Sequence, residues 1–109
     1  MLRIYADIQA FQSEARELVV RIAEHDANLA SQLRRSAQSV ALNTAEGMSA
    51  SGGVRRNAYA TACREARECD AAIDLAWRWQ YVAELDAGLT DRLGRIIGTL
   101  SKLARPAGR

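Results

Sequence analysis

The chain has 109 residues, of which 49% are hydrophobic and 26% are charged, and its formal net charge is +2. This length fits a single domain, and the balance of residues is that of a globular protein, which excludes intrinsic disorder. No stretch approaches the roughly 18 consecutive apolar residues of a transmembrane helix, and the first residues lack the apolar stretch of a signal peptide. We therefore expect a cytoplasmic protein that does not associate with membranes.

Four amphipathic segments follow one another along the chain. Their apolar residues recur at three- and four-residue steps, the periodicity of a helix with one buried face. The single proline, Pro106, lies beyond the last segment, as suits long uninterrupted helices. The predicted helices cover residues 3–24, 28–47, 53–82 and 87–104, and residues 105–109 are predicted to form a disordered tail.

The predicted helix boundaries depend on polar residues and glycines. Asp26 or Asn28 is expected to cap the second helix, and Gly47 is expected to end it in the left-handed conformation. Residues 48–53 are small and polar, so they are predicted to form the loop before the third helix, which Ser51 would cap. These boundaries leave four long helices with short connections.

Such a pattern predicts an all-α fold, an antiparallel up-and-down four-helix bundle in one domain. A domain this small buries a modest fraction of its surface, so an oligomer is a natural way to complete its core. In the last helix, Gly94 and Gly98 either permit a close approach between helices or are tolerated on an exposed face. Cys63 and Cys69 are six residues apart on the third helix and point to different faces, so they are expected to be packing residues without an internal disulfide.

Residues 29–47 carry a dense motif. From Leu29 it runs through Gln32, Arg34, Arg35, Ser39 and Asn43 to Ala45-Glu46-Gly47. This block resembles the four-helix-bundle family known as S23 or 23S rRNA intervening-sequence proteins. A weaker match follows in the third helix, where Ala62 and Glu68 keep the ends of an Ala-x-Gly-Ser-x-x-Glu pattern and Arg64-Glu65 replaces the Gly-Ser pair.

The resemblance implies a homopentamer of bundles. The same family includes the accessory protein of diversity-generating retroelements, which binds a reverse transcriptase and nucleic acid through a strongly basic surface. The partners implied for this chain are therefore RNA, DNA or a nucleic-acid enzyme. The loop at residues 48–53 lacks the basic residues often found there in relatives, so the expected contact with nucleic acid is weak and sensitive to salt.

Charge is segregated along the sequence. Residues 27–67 and residues 87–109 each carry a net charge of +4, whereas residues 68–86 carry a net charge of −4. Arginine binds phosphate oxygens through its planar guanidinium, so the candidate nucleic-acid contacts are the arginines of the first basic segment. They are Arg34, Arg35, Arg55, Arg56, Arg64 and Arg67. The alternative is that these arginines pair with acids on neighbouring helices or subunits.

Polar residues interrupt the apolar face of the second helix. Ser39, Asn43 and Glu46 fall on one face, and polar groups inside a bundle require hydrogen-bond partners. They form either a site for a ligand or partner helix, or a network that fixes helix register or a subunit interface. The candidate residues of this polar seam, together with the family motif, are Gln32, Ser39, Asn43, Glu46 and Glu68.

Three aromatic residues lie near the end of the third helix. Trp77 fits the core face, whereas Trp79 is expected to point elsewhere, toward an interface with another subunit or a foreign partner. Tyr81 follows them in the sequence.

Catalytic constellations are missing from the sequence. His25 is the single histidine, so no second imidazole is available for a metal site, and no Gly-rich phosphate loop follows a strand. We expect no catalytic residue, metal or cofactor. The predicted function is that of a non-enzymatic oligomeric helical bundle, an adaptor with weak electrostatic binding to nucleic acid. The alternative is a structural or protein-interaction module without a nucleic-acid role.

Overall fold

The computed structural model describes residues 2–106, which contain four helices and no strand. The helices are α1 (Ile4–Ala23), α2 (Ala27–Ser49), α3 (Gly52–Arg78) and α4 (Ala87–Leu103). Helices α1 and α3 each pack against both α2 and α4, which gives an elongated bundle of 44 × 24 × 22 Å. Within residues 2–106, no helix is long and apolar enough to cross a membrane.

A continuous core runs along the centre of the bundle. Helices α1, α2 and α4 contribute large side chains that are fully buried, among them Phe11, Leu33 and Ile96. Helix α3 contributes mostly small residues, such as Ala62 and Ala66. Because the distance between two helix axes depends on the side chains at their contact, these alanines allow the neighbouring helices to pack closely on α3.

Two helices begin at aspartates that act as caps. The carboxylate of Asp26 accepts a hydrogen bond from the backbone N–H of Leu29 at 2.9 Å, so the cap of α2 is Asp26, one of the two predicted candidates. Asp86 does the same for α4 by accepting from the N–H of Gly88 at 3.0 Å. Ser51 occupies the cap position of α3, as predicted, but its side chain makes no capping hydrogen bond.

We expect Asp26→Ala to lower the free energy of unfolding by about 1 kcal/mol, because the N–H of Leu29 loses its acceptor. The matched variant Ser51→Ala should change it by less than about 0.5 kcal/mol, since no capping bond is lost. Urea unfolding followed by circular dichroism measures both values. Equal losses in the two variants would contradict this account of the helix starts.

The predicted loop at residues 48–53 is wrong. Helix α2 continues through Ser49, and only Ala50 and Ser51 connect it to α3. The left-handed conformation occurs at Gly52, with φ of 58°, and not at the end of α2. Small and polar residues do not by themselves stop a helix whose core-facing side remains packed against its neighbours.

Gly47 lies inside α2 and is buried, so its predicted role as a helix end is also wrong. A Cβ added at this position would lie only 2.5 Å from Cε1 of Tyr59, on α3. Real Cβ atoms do not approach another carbon so closely. The glycine therefore makes room for the buried ring of Tyr59 where α2 and α3 meet.

Helix α3 ends at Arg78, four residues before the predicted end at 82. Gln80 adopts a left-handed conformation, with φ of 61°. The N–H of Tyr81 donates to the carbonyl of Ala76 at 2.8 Å, and the N–H of Gln80 donates to that of Trp77 at 3.0 Å, which is the Schellman arrangement of a helix end. A glycine usually occupies the left-handed position, so the sequence carries no strong signal for this termination.

The glycines of α4 and the residues that follow the helix were the subject of two further predictions. Gly94 and Gly98 are exposed, and a Cβ at either would meet no atom within 4 Å in the described part of the chain. Within one chain they are therefore tolerated on an exposed face. Arg105 and Pro106 follow α4 and are exposed, whereas residues 107–109 of the predicted tail lie outside the described residues.

Candidate functional site

The six candidate arginines lie on α2 and α3, and within residues 2–106 none of them forms an ion pair with a carboxylate. The ion pairs found within residues 2–106 are Arg78–Asp74, Arg92–Asp7, Arg92–Glu14 and Arg95–Asp7. Five of the six candidates are exposed, and Arg56 is half-buried. The described residues therefore show no ion pairing of these arginines with acids on neighbouring helices, and pairing with acids of another subunit stays a prediction.

These arginines do not form one patch. Arg34 lines a groove between α1 and α2, whereas Arg56 lies in a shallow depression beside Ala104, just after α4. At the junction of α2 and α3, Nε of Arg55 donates a hydrogen bond of 3.1 Å to the carbonyl of Gly47. A phosphate chain that contacted all of them would have to follow the surface around α2 and α3.

The polar seam makes its main hydrogen bonds within α2. Nδ2 of Asn43 donates to both the carbonyl oxygen and the hydroxyl oxygen of Ser39, each at 2.9 Å. Gln32 and Glu46 are exposed. Asn43 and Glu46 also line a shallow open groove of about 240 Å³ between α2 and α3. This groove has little of the enclosure expected of a small-molecule site.

Ser36 adds a contact between helices that the sequence prediction missed. It is buried, and its hydroxyl donates to Oε2 of Glu68 on α3 at 3.5 Å. Ser36 precedes Ser39 by three residues and Asn43 by seven, so it continues the polar seam by one helical turn. The helical spacing that placed Ser39 and Asn43 on one face could therefore also have identified Ser36.

Glu65 joins this group, which we call the α2–α3 polar cluster: Ser36, Ser39, Glu65 and Glu68. A hydrogen bond with Glu68 raises the pKa of Glu65, and burial and the negative charge of Glu68 raise it further. A hydrogen bond with Ser39 and the charge of Arg64 act in the opposite direction. Two adjacent carboxyl groups hold a proton between them more readily than they ionise together. Glu65 occupies a position at which the family pattern has serine. The resemblance therefore gave no reason to predict Glu65 as a site residue.

We expect Glu65→Gln to raise the free energy of unfolding at neutral pH. The pKa of Glu65 is higher in the folded state than in the unfolded chain, so its contribution to stability is present below the unfolded pKa and is lost as pH rises through the folded pKa. The variant should therefore show a smaller decline in stability from mildly acidic to neutral pH. Urea unfolding over a pH series measures this, with exposed Glu46→Gln as the control. An unchanged pH profile in Glu65→Gln would contradict the raised pKa of Glu65.

Both cysteines are buried free thiols. Burial is the main cause that raises the pKa of the Cys69 thiol to about 12, and the nearby charge of Glu65 adds to it. The thiol of Cys63 lies 3.8 Å from the carbonyl oxygen of Ile97 and donates to it. A buried thiol with a raised pKa is a poor nucleophile, so Cys69 acts as a packing residue. Cys63 is buried in the same core. Residues 2–106 contain no cluster of three His, Cys, Asp or Glu side chains that could hold a metal ion.

The prediction that Trp77 lies in the core is wrong. Its side chain is 47% exposed, and Trp79 is 68% exposed. Ala76 takes the buried position in the last turn of α3, and the step of about 100° to the next residue carries Trp77 out of the core. Tyr81 is half-buried and stacks on His25, with ring centroids 5.2 Å apart and planes at 7°.

These features define an all-helical protein, a four-helix bundle in which the charged side chains lie outside the core. A family model described as 23S rRNA-intervening sequence protein matches residues 1–102, and the chain belongs to this family. This match confirms the resemblance carried by residues 29–47.

A solved structure shares the fold. It is the crystal structure, at 1.70 Å resolution, of a protein with unknown function from the S23 ribosomal protein family of Bacteroides thetaiotaomicron VPI-5482. The two chains are 19% identical with a TM-score of 0.85, over 94% of this chain and 98% of that one. No curated protein is similar enough to match this chain.

Proposed function

We propose that this protein is a non-catalytic, oligomeric helical bundle that contacts RNA or DNA through the arginines of α2 and α3. The observation that carries the proposal is the state of the six candidate arginines, since none of them lies within 4.0 Å of a carboxylate in residues 2–106. Arginines that form no ion pair within residues 2–106 remain available to phosphate oxygens. The net charge of +4 over residues 27–67 supports the same surface.

Two features make the proposed contact weak and sensitive to salt. The net charge of the whole chain is only +2, and the connection between α2 and α3 carries no basic residue. Affinity for nucleic acid comes largely from the release of counterions by basic residues. A protein with few phosphate contacts spread over several faces should therefore lose its binding as salt rises.

Assembly would concentrate these contacts. We infer that α2 and α3 are antiparallel, because Ser36 meets Glu68 while Gly47, closer to the connection, meets Tyr59. The family resemblance supports a homopentamer, which would multiply the charge of one chain fivefold and bring five sets of arginines together. Multi-angle light scattering tests the pentamer, and a stable monomer would contradict it. We place this assembly in the cytoplasm.

The test of the nucleic-acid contact is fluorescence anisotropy with a structured RNA and a DNA duplex over a salt series. We expect binding at low salt that weakens as salt rises, and charge reversal at Arg34 and Arg35 should weaken it further and reduce the salt slope by about one per lost phosphate contact. Arg21→Glu, an exposed change on α1, is the control. Absence of binding at low salt, or equal effects of the α1 and α2 reversals, would overturn the proposal.

The second candidate function is a protein-interaction module with no nucleic-acid role. The observation that favours it is the exposure of Trp77 and Trp79. Exposed tryptophans are typical of protein interfaces because they bury a large area and lose little conformational freedom. This candidate predicts a protein partner whose binding survives nuclease and high salt.

A further inference from the structure

The end of α3 and the connection to α4 form an exposed surface that the proposed nucleic-acid contact does not use. Trp79 is largely exposed there and Trp77 is about half exposed, and Tyr81 lies beside them with its ring centroid 6.4 Å from that of Trp79. We call these three residues the aromatic surface. Two neighbouring exposed tryptophans are uncommon on a surface without a partner, so this region is a candidate for recognition.

An acidic groove adjoins the aromatic surface. Ala83 lines both the depression beside Trp77 and Tyr81 and a second groove of about 470 Å³ between α1 and the start of α4. The carboxylates of this second groove, the acidic groove, are Glu14, Glu17, Glu84 and Asp86. Three leucines supply apolar contacts, and Arg21 is the one base among the described residues that line it.

Two carboxylates of the acidic groove are available to bind a cation. Glu14 is engaged by Nε of Arg92 at 3.2 Å, and Asp86 caps α4. Within residues 2–106, Glu17 and Glu84 form no ion pair, and both are exposed. The net charge of −4 over residues 68–86 repels phosphate groups and attracts basic ones.

The chain itself shows how a guanidinium sits on the aromatic surface. The guanidinium of Arg78 lies 5.8 Å from the ring centroid of Trp77, while its Nε donates to the carboxylate of Asp74 at 2.9 Å. A cation held over an aromatic face and paired with a carboxylate is a favourable arrangement for arginine. Trp79 offers a more exposed ring, which a second arginine could cover in the same way.

We propose that the aromatic surface and the acidic groove together bind an arginine-rich segment of a partner protein. The exposed ring of Trp79 takes a planar guanidinium group of the segment, and Glu17 and Glu84 neutralise further basic side chains along it. Arginine is preferred over lysine because only its planar group stacks well on a ring. The proposal is independent of the arginines of α2 and α3, so it and the nucleic-acid contact can fail separately.

Intrinsic fluorescence tests this site directly, because both tryptophans of the chain belong to the aromatic surface. The assembled wild-type protein is titrated with a short oligo-arginine peptide, an oligo-lysine peptide and a Gly-Ser peptide of equal length. We expect a saturable change in emission with oligo-arginine, weaker binding of oligo-lysine and no change with Gly-Ser. Equal affinity for arginine and lysine, or no saturable change, would overturn the proposal.

Variants localise the binding. Trp79→Ala, with Trp77 as the remaining reporter, should weaken oligo-arginine binding about two- to fivefold, the range of an exposed cation–π contact. The double reversal Glu17→Lys with Glu84→Lys should weaken it about tenfold or more, and this effect should shrink at high salt. The controls are Leu42→Ala and Glu46→Lys on α2, an exposed apolar residue and an exposed acid away from the site. Equal effects in controls and site variants would show non-specific attraction and refute the site.

A second copy of the chain is the competing occupant, because its own basic residues would be attracted to the same charges. Light scattering with and without saturating oligo-arginine separates the two cases. An unchanged molar mass supports a site that is open to a partner. Dissociation of the assembly by the peptide would show that another copy occupies the surface, and would overturn the proposal.

Discussion

Replacement of Phe11 by alanine is expected to lower the free energy of unfolding by about 3–5 kcal/mol. Phe11 is the only phenylalanine of the chain and is fully buried in the middle of α1, within the core shared by all four helices. Its removal loses the transfer free energy of an aromatic ring and leaves a cavity that rigid neighbouring helices can only partly fill. A domain of this size has a free energy of unfolding of only about 5–15 kcal/mol, so the substitution should remove a large fraction of it.

Urea unfolding followed by circular dichroism measures this loss. Phe11→Leu should cost clearly less than Phe11→Ala because it leaves a smaller cavity, and it keeps the comparison measurable if the alanine variant does not fold. Val20→Ala on the same helix, where the side chain is exposed, should change the free energy of unfolding by less than about 0.5 kcal/mol. Similar losses at Phe11 and Val20 would contradict the described core.

Gly47→Ala is expected to destabilise the protein by about 1–3 kcal/mol, although alanine favours helix by up to about 1 kcal/mol. The added Cβ would fall 2.5 Å from Cε1 of Tyr59, a ring that is itself buried between α2 and α3. The ring or the helix must move to relieve this overlap. Gly94→Ala adds the same atom to an exposed helix position with no neighbour within 4 Å, so it should stabilise by up to about 1 kcal/mol.

Gly47→Ala and Gly94→Ala should therefore change the free energy of unfolding in opposite directions. Urea unfolding gives both, and a double-mutant cycle with Tyr59→Leu attributes the effect of Gly47→Ala to the ring, since the substitution should cost less once the ring is gone. Stabilisation by Gly47→Ala equal to that by Gly94→Ala would contradict the close packing of α2 on α3.

Gly47 also explains the end of the family motif in this chain. The glycine closes the block at residues 29–47, and a glycine after a helical run is commonly a helix end. In this structure it instead allows α2 and α3 to approach closely near their connection. The same pairing of α2 with α3 brings Ser36 to Glu68 and presents the candidate arginines on both helices.

Local sequence information was sufficient for the number of helices and for membership of the family, and it narrowed the cap of α2 to Asp26 or Asn28. A helical period of 3.6 residues and a capping hydrogen bond depend only on residues a few positions apart, so they can be recognised without knowledge of the packing. The motif at residues 29–47 is likewise contiguous.

The tertiary structure decided what depends on residues far apart in sequence. The space at Gly47 is limited by Tyr59, and the exposure of Trp77 depends on where α3 ends. Whether a candidate arginine forms an ion pair within residues 2–106 depends on its distance from the carboxylates of that part of the chain. The contact between Ser36 and Glu68 spans two helices in the same way. Such properties follow from distances between helices, which a pattern along one helix does not contain.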